Sequence, residues 1–156
     1  MLRLIWGRGN YVDYQQLKRF HYLDRRPATV AGVVSARAVL NCGREELAGV
    51  LVLSYPVPFC RERAAAFGLE GMTLRERLAW ANGHVRCISR VIVHPRFRGL
   101  SVATGLVREA IAQCGVEFVE AHARLARAMP FFERAGMTRV RRGDTDGPAY
   151  FWARAR

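Results

Sequence analysis

The hydrophobic pattern changes period several times along the chain, and each change marks an element. Residues 13–22 carry Tyr14, Leu17 and Phe20 at helical spacing and predict a short helix. Residues 28–40, rich in Val and Ala, and the apolar run of residues 47–55 (LAGVLVLSY) flank the turn-forming Asn41-Cys42-Gly43-Arg44, so they predict an antiparallel hairpin. Tyr55-Pro-Val-Pro58 breaks the sheet, and residues 59–67 resume as a helix closed by Gly68. Thr73-Leu-Arg-Glu76 is a capping box that opens a further helix, stopping near Asn82-Gly83.

Residues 85–93 are nearly continuously apolar, interrupted by Arg86, Ser89 and Arg90, which predicts a central strand covered on both faces and ended by Pro95. From Leu100 onward Ala103, Leu106, Val107, Ala110, Ile111 and Cys114 recur at helical spacing until Gly115. Residues 116–122 form the next strand, residues 127–135 a helix ended at Gly136, and residues 137–142 with 149–153 a last hairpin. The fold class is therefore mixed α/β in one domain over residues 1–156. It has a central mixed sheet, helices on both faces, and one parallel strand–helix–strand crossover, right-handed, over residues 85–122.

Cysteine usage adds little: Cys42, Cys60, Cys87 and Cys114 are widely spaced, with no C-x-x-C pair, so neither a disulfide framework nor a bound metal is expected. The N-terminus is too short in its apolar part for a signal peptide, and no apolar run approaches a membrane span, so a cytoplasmic protein with no membrane partner is expected. Charge changes the picture more. The 156 residues carry 25 basic against 13 acidic side chains, a net charge of +12, and Lys18 is the only lysine. GC-rich codon usage accounts for arginine over lysine but not for the excess of bases over acids. A polyanionic partner follows, DNA or tRNA, because arginine grips phosphate in a bidentate way and each neutralised phosphate releases counterions.

The segment around residues 91–107 supplies the candidate chemistry. It reads as strand, turn and helix start, and the first N–H groups of a helix have no partner within it, so a phosphate fits there. Gly99, Ser101 and Ala103 allow close approach to the main chain, while Arg96 and Arg98 offer forked donors.

These residues, with the later Ala128-Met-Pro-Phe-Phe-Glu-Arg-Ala-Gly-Met137, resemble the GNAT superfamily of N-acyltransferases. The resemblance implies a GNAT-like sheet, an acyltransferase activity, and acetyl-CoA or another coenzyme A thioester as cofactor. Its signature, Arg/Gln-x-x-Gly-x-Gly/Ala, wraps the pyrophosphate, and falls on Arg98, Ser101 and Ala103 with Gly99, Leu100 and Val102 between them. The backbone of Val91, Ile92 and Val93 is then expected to face the pantetheine arm. Two departures are visible: Ser101 stands where the family usually has glycine, a register starting at Arg96 being the alternative, and Phe132 stands where many members have a tyrosine acid. Many members also pair through their last strands, which makes a homodimer a further expectation.

A narrower resemblance rests on Phe20-His21-Tyr22-Leu23, the strand ending Ser54-Tyr55-Pro56, the segment Ser89-Arg90-Val-Ile-Val-His-Pro95, and Val119-Glu120-Ala-His122. These are similar to a GNAT subgroup that includes acyltransferase-like domains fused to ABC-type ATPases and the phage Mom proteins, which modify the adenine exocyclic amine in DNA. No G-x-x-x-x-G-K-[ST] occurs here, so a stand-alone form is expected. Acetylation of an aminoacyl-tRNA or a protein amine, and a non-catalytic nucleic-acid-binding module, are the rival functions.

Candidate catalytic residues follow from residue type and position. Glu120 and His122 alternate on one strand and share a face, as an acid–base pair would. His21, beside Tyr22, offers a second imidazole that titrates near neutral pH. Tyr55 and Tyr22 are candidate phenols, and the Ser89 hydroxyl interrupts the central strand where it could bond a cofactor or a neighbouring backbone.

Overall fold

In a computed structural model describing residues 1–124, 130–140 and 147–155, the chain forms one seven-stranded sheet flanked by helices. The strands are β1 (Arg3–Arg8), β2 (Gly32–Val39), β3 (Glu45–Ser54), β4 (Val85–Val93), β5 (Phe118–Ala123), β6 (Thr138–Val140) and β7 (Ala149–Arg154). Their spatial order is β1-β2-β3-β4-β5-β7-β6, and only the β4–β5 pair is parallel. That crossover runs through the helix α4 (Val102–Gln113), as the strand–helix–strand pattern predicts.

The other helices are α1 (Tyr11–Leu17), α2 (Arg61–Phe67), α3 (Leu74–His84) and α5 (Phe131–Arg134). Sequence expectations shift at several ends. The helix expected over residues 13–22 begins at Tyr11, because Asn10 is its N-cap and Asp13 closes a reciprocal capping box, each side chain meeting the other's backbone N–H at 3.2 Å. It gives way after Leu17 to a 3-10 turn, leaving His21 and Tyr22 outside any helix. Gly83 does not stop α3, which runs on to His84 before the chain turns directly into β4. The helix expected from Leu100 starts two residues later, since Ser101 takes a left-handed backbone (φ 59°) that no helix continues. Of the helix expected over residues 127–135, residues 125–129 lie outside the described residues, as do 141–146 of the last hairpin.

β1 has no counterpart among the expected elements. It pairs antiparallel with β2 over six residues, and its Trp6 packs over α4, with Nε1 donating to the Val102 carbonyl at 3.3 Å. The close approach requires Gly105, where a Cβ would come within 2.3 Å of the Trp6 ring. α4 thereby covers one face of the sheet through Val102, Leu106, Val107 and Ala110, all buried against Ala36, Ala48, Leu51 and Val119. α1 covers the opposite face, where Tyr14 and Leu17 pack on Val33, Val50, Val52 and Ile92. No helix among the described residues is long and apolar enough to cross a membrane.

Gly105→Val should lower stability by about 1–3 kcal/mol, the usual cost of forcing extra carbon into a packed core. Denaturant melts of the two proteins check this, with Trp6→Ala in the same background expected to recover part of the loss.

Candidate functional site

The site is built by strands that part. β4 and β5 pair only from Val85↔Phe118 to Ile88↔Ala121. Beyond Ile88 the β4 register against β3 slips, Val52 pairing with Arg90 and Leu53 with Ile88, so Ser89 is an extra residue, a bulge. Bulges bend a strand and increase its twist, which turns β4 away from β5 at this residue. The Ser89 hydroxyl is held within the sheet, 2.7 Å from Ser54 Oγ and 3.2 Å from the Val52 carbonyl.

Two cavities open from this gap. The first, of about 690 Å³, is lined by Ser89 to Val93, Phe97, Arg98, Gly99, Ser101 to Thr104, Phe132 and the crossing segment Phe20 to Tyr22. The second, of about 1390 Å³, lies on the side of α2 and the loop before it. Tyr22, Ile88, Ser89, Arg90, His122 and Arg124 border both, so the cavities meet at the end of β5.

One wall of the first cavity is an anion cradle. Gly99 (φ 81°) and Ser101 (φ 59°) are both left-handed, and between them they turn the chain into α4. No side chain caps that helix, and the first paired amide is Gly105 N–H, which donates to the Ser101 carbonyl at 3.1 Å. The amides of Val102, Ala103 and Thr104 therefore have no intrahelical acceptor, at the positive end of the helix dipole. Arg98 lines the same cavity, whereas Arg96 is exposed and donates to Glu46 Oε2 at 2.8 Å. Leu100, between the two left-handed residues, is exposed and lines neither cavity. The β5-facing edge of β4 at Val91, Ile92 and Val93 has no strand partner and borders the same space. Pyrophosphate at the helix end and an amide-bearing chain along an open strand edge are what this wall can hold, so its residues fit a coenzyme A molecule.

Beneath the junction lies a charge cluster. Glu120, fully buried, accepts from Arg63 Nη2 at 2.6 Å, Arg63 Nε at 2.9 Å and the Tyr150 hydroxyl at 2.8 Å. Arg63 Nη1 also donates to the Val57 carbonyl at 3.0 Å. Burial and the adjacent Glu120 push the Tyr150 phenol well above the usual tyrosine range, so it stays a hydrogen-bond donor. His122 Nε2 lies 3.9 Å from Glu120 Oε1 and 4.0 Å from the Cys60 Sγ. Burial, more than any neighbour, pushes the Cys60 thiol up to about 11. Cys60, Glu120 and His122 lie close enough to share a cation, but both oxygens of the carboxylate already receive hydrogen bonds, two of them from a guanidinium.

The candidates thus divide. His122, Ser89 and Tyr22 border both cavities, and His21 stands on the rim of the first. Glu120 shares a face with His122 as expected, yet it is enclosed and lines neither cavity, touching them through the His122 imidazole and the Arg63 guanidinium. Tyr55 lies outside both, half exposed, with the Arg86 guanidinium 4.5 Å above its ring. His21 stacks on Tyr22 with ring centres 4.6 Å apart. Its Nδ1 is 3.0 Å from the Leu23 N–H and 3.4 Å from the Leu23 carbonyl; the shorter contact makes Nδ1 the acceptor and leaves the ring proton on Nε2. Desolvation holds the His21 imidazole below the ordinary histidine value, with Arg90 acting in the same direction. Arg63, Cys60 and Tyr150 escaped sequence reasoning: an arginine inside a short helix reads as surface, and only the pairing of β5 with β7 sets Tyr150 opposite His122.

Residues 9–137 match the acetyltransferase (GNAT) family. The chain belongs to this family. It is an acyltransferase, and its donor is a coenzyme A thioester. No curated protein matches the sequence. Among solved structures it is similar to Arabidopsis thaliana NAA60 in complex with acetyl-CoA, at 17% identity, over 96% of this chain and 97% of that one, with TM-score 0.61. It is similar also to the GNAT family N-acetyltransferase YhbS from Escherichia coli in complex with CoA, at 17% identity, 100% and 83% coverage and TM-score 0.60. The ribosomal-protein-S18-alanine N-acetyltransferase from Escherichia coli shares the fold at 12% identity, 98% and 94% coverage and TM-score 0.53. At these identities the likeness is one of fold.

Arg98→Ala should weaken coenzyme A binding more than Arg96→Ala in titration calorimetry, and equal losses would contradict this assignment of the turn. Ser101→Gly should raise stability by up to about 1 kcal/mol, since relief of the left-handed Cβ clash outweighs the extra freedom of glycine in the unfolded chain. Urea unfolding reads that difference. Arg63→Ala, which leaves Glu120 buried without its cation, should cost about 3–5 kcal/mol on the same assay.

Proposed function

We propose that this acyltransferase acts on an amine carried by nucleic acid, with the exocyclic nitrogen of adenine in DNA as the acceptor, in the manner of the Mom proteins it resembles. The observation that carries this reading is the charge of the second cavity. Arg25, Arg26, Arg61, Arg77, Arg90 and Arg124 line it, together with the already paired Arg63, while Glu62 is the one carboxylate in its lining. Among the described residues no ion pair ties any of the six to an acid. A cavity so lined favours an acceptor bearing several negative charges, as a phosphodiester chain does.

The division of labour follows from the geometry. The cradle of Arg98 and the α4 amides orients the coenzyme by its diphosphate, and the open edge of β4 takes its amide-bearing arm. When bound, the coenzyme would supply an activated acyl carbon and depart as its thiol, the thioester C–S bond being exchanged for the new C–N bond. His122, at the junction, is positioned to take the proton of the acceptor amine, directly or through one water, and the neighbouring Glu120 favours the resulting imidazolium. The lone pair of an aromatic amine is delocalised into its ring, so exclusion of water and exact placement carry more of the work here than they would for an alkyl amine.

Mass spectrometry of nucleosides from host DNA, with and without expression of the protein, tests this reading. A new deoxyadenosine derivative is expected, and it should disappear with His122→Gln. Unchanged DNA accompanied by acetylated aminoacyl-tRNA or protein amine would overturn the DNA assignment.

A further inference from the structure

The two most exposed aromatic side chains among the described residues with large apolar groups, Phe59 (71%) and Tyr22 (61%), both border the second cavity. Single exposed aromatics are unremarkable on a protein surface, but these two border one cavity and the segments that carry them are anchored. Phe59 follows Pro58 in a loop that also contains Pro56, and the Val57 carbonyl of that loop is anchored by the buried Arg63. Tyr22 is backed by the stacked His21 ring, itself fixed through Nδ1 to the Leu23 amide. Anchoring the backbone that carries a flat side chain lowers the entropy lost when a planar ligand binds it. Arginines flank them: Arg25 and Arg26 follow Tyr22 in the lining, and Arg61 follows Phe59. At the floor, where the cavities meet, Arg90 Nε is a buried donor with no hydrogen-bond partner. Such a donor is costly to leave unmatched, and an acceptor atom of a ligand would complete it.

Exposed aromatic faces interleaved with guanidinium groups match the chemistry of single-stranded nucleic acid, in which bases stack while phosphates are held electrostatically. We propose that the second cavity is a subsite for an unpaired nucleobase, with Phe59 and Tyr22 as its stacking surfaces and Arg25, Arg26 and Arg61 holding the adjoining phosphates. The proposal rests on the nucleic-acid reading above and adds to it that the base enters unstacked from its own strand. A duplex therefore serves only where the target nucleotide can leave the helix.

Fluorescence anisotropy with a labelled single-stranded 12-mer DNA, carrying either one central adenine or an abasic site there, tests the subsite. The wild-type protein should bind the adenine form more tightly than the abasic form. Phe59→Ala should erase that difference, a loss of about 5- to 100-fold for the adenine form, and Phe59→Trp should restore it. Arg26→Gln should instead weaken both forms equally and flatten the dependence on salt. Because Phe59 borders only the second cavity, coenzyme A binding by Phe59→Ala should be unchanged, which shows that the variant is folded. If Phe59→Ala binds both oligonucleotides as the wild type does while DNA is still modified, the subsite is wrong and the nucleic-acid reading survives. If the wild type binds neither oligonucleotide and no modified nucleoside forms, that reading fails and the subsite falls with it.

Discussion

A parallel strand pair that stops after four residues is an unstable arrangement unless each strand is held elsewhere, and here each is. β4 remains paired to β3 up to Val93, and β5 is paired to β7 along its whole length, from Phe118↔Arg154 to Ala123↔Ala149. The gap cannot close by sliding, because a one-residue slip would turn the buried faces of either strand outward. The Ser89 bulge sets where the parting begins. It leaves the β5-facing backbone groups of residues 89–93 without strand partners, and such groups are costly if they are also kept from water. A ligand with amides of its own is the natural complement to that edge. The cradle at the start of α4 lies on the same wall because α4 is the crossover that joins these two strands.

The second constraint is the pair of buried charges under the gap. Arg63 and Glu120 are both essentially without solvent, and moving such ions from water costs several kcal/mol apiece before their attraction is counted. The bidentate contact, the Tyr150 hydroxyl and the Val57 carbonyl together meet much of their hydrogen-bonding demand. The consequence is mechanical as much as electrostatic. One guanidinium ties α2 and the proline-rich loop before it to the end of β5, and through Tyr150 to β7. The placement of the α2 side of the second cavity relative to His122 is therefore set by a directional contact instead of by loop packing.

Legibility from sequence followed the physics of each element. The central strand and the capping box of α3 came out at their observed positions because a continuous apolar run and a Thr-x-x-Glu spacing are local signals. β1 was invisible because RLIWGR is short, sits at a sheet edge and has no clean alternation, and its place depends on Trp6 meeting a glycine 99 residues later. The wall of the first cavity that carries Arg98 was legible as strand, turn and helix start because these are contiguous in the chain. The second cavity was not, since it assembles from residues 22–28, 57–77, 87–90 and 122–124 with Pro148, which no local pattern joins. Glu120 was singled out for its type and spacing; that it is enclosed by Arg63 and Tyr150 is a tertiary fact.

The same distinction governs what the net charge means. With 25 basic and 13 acidic side chains, 12 positive charges stay unbalanced by carboxylates whatever the fold, and composition alone cannot say whether they are scattered or gathered. The structure uses several acids on structural or peripheral arginines: Asp13 on Arg37, Glu46 on Arg44 and Arg96, Glu117 on Arg154, and Glu120 on Arg63. What those pairings leave at the second cavity is a set of arginines from four separate segments of the chain. Scattered charges interact weakly with a distant polyanion because salt screens them beyond about 8–10 Å. Charges that share one concave wall sum into one local field, which turns a property of the composition into a property of the cavity.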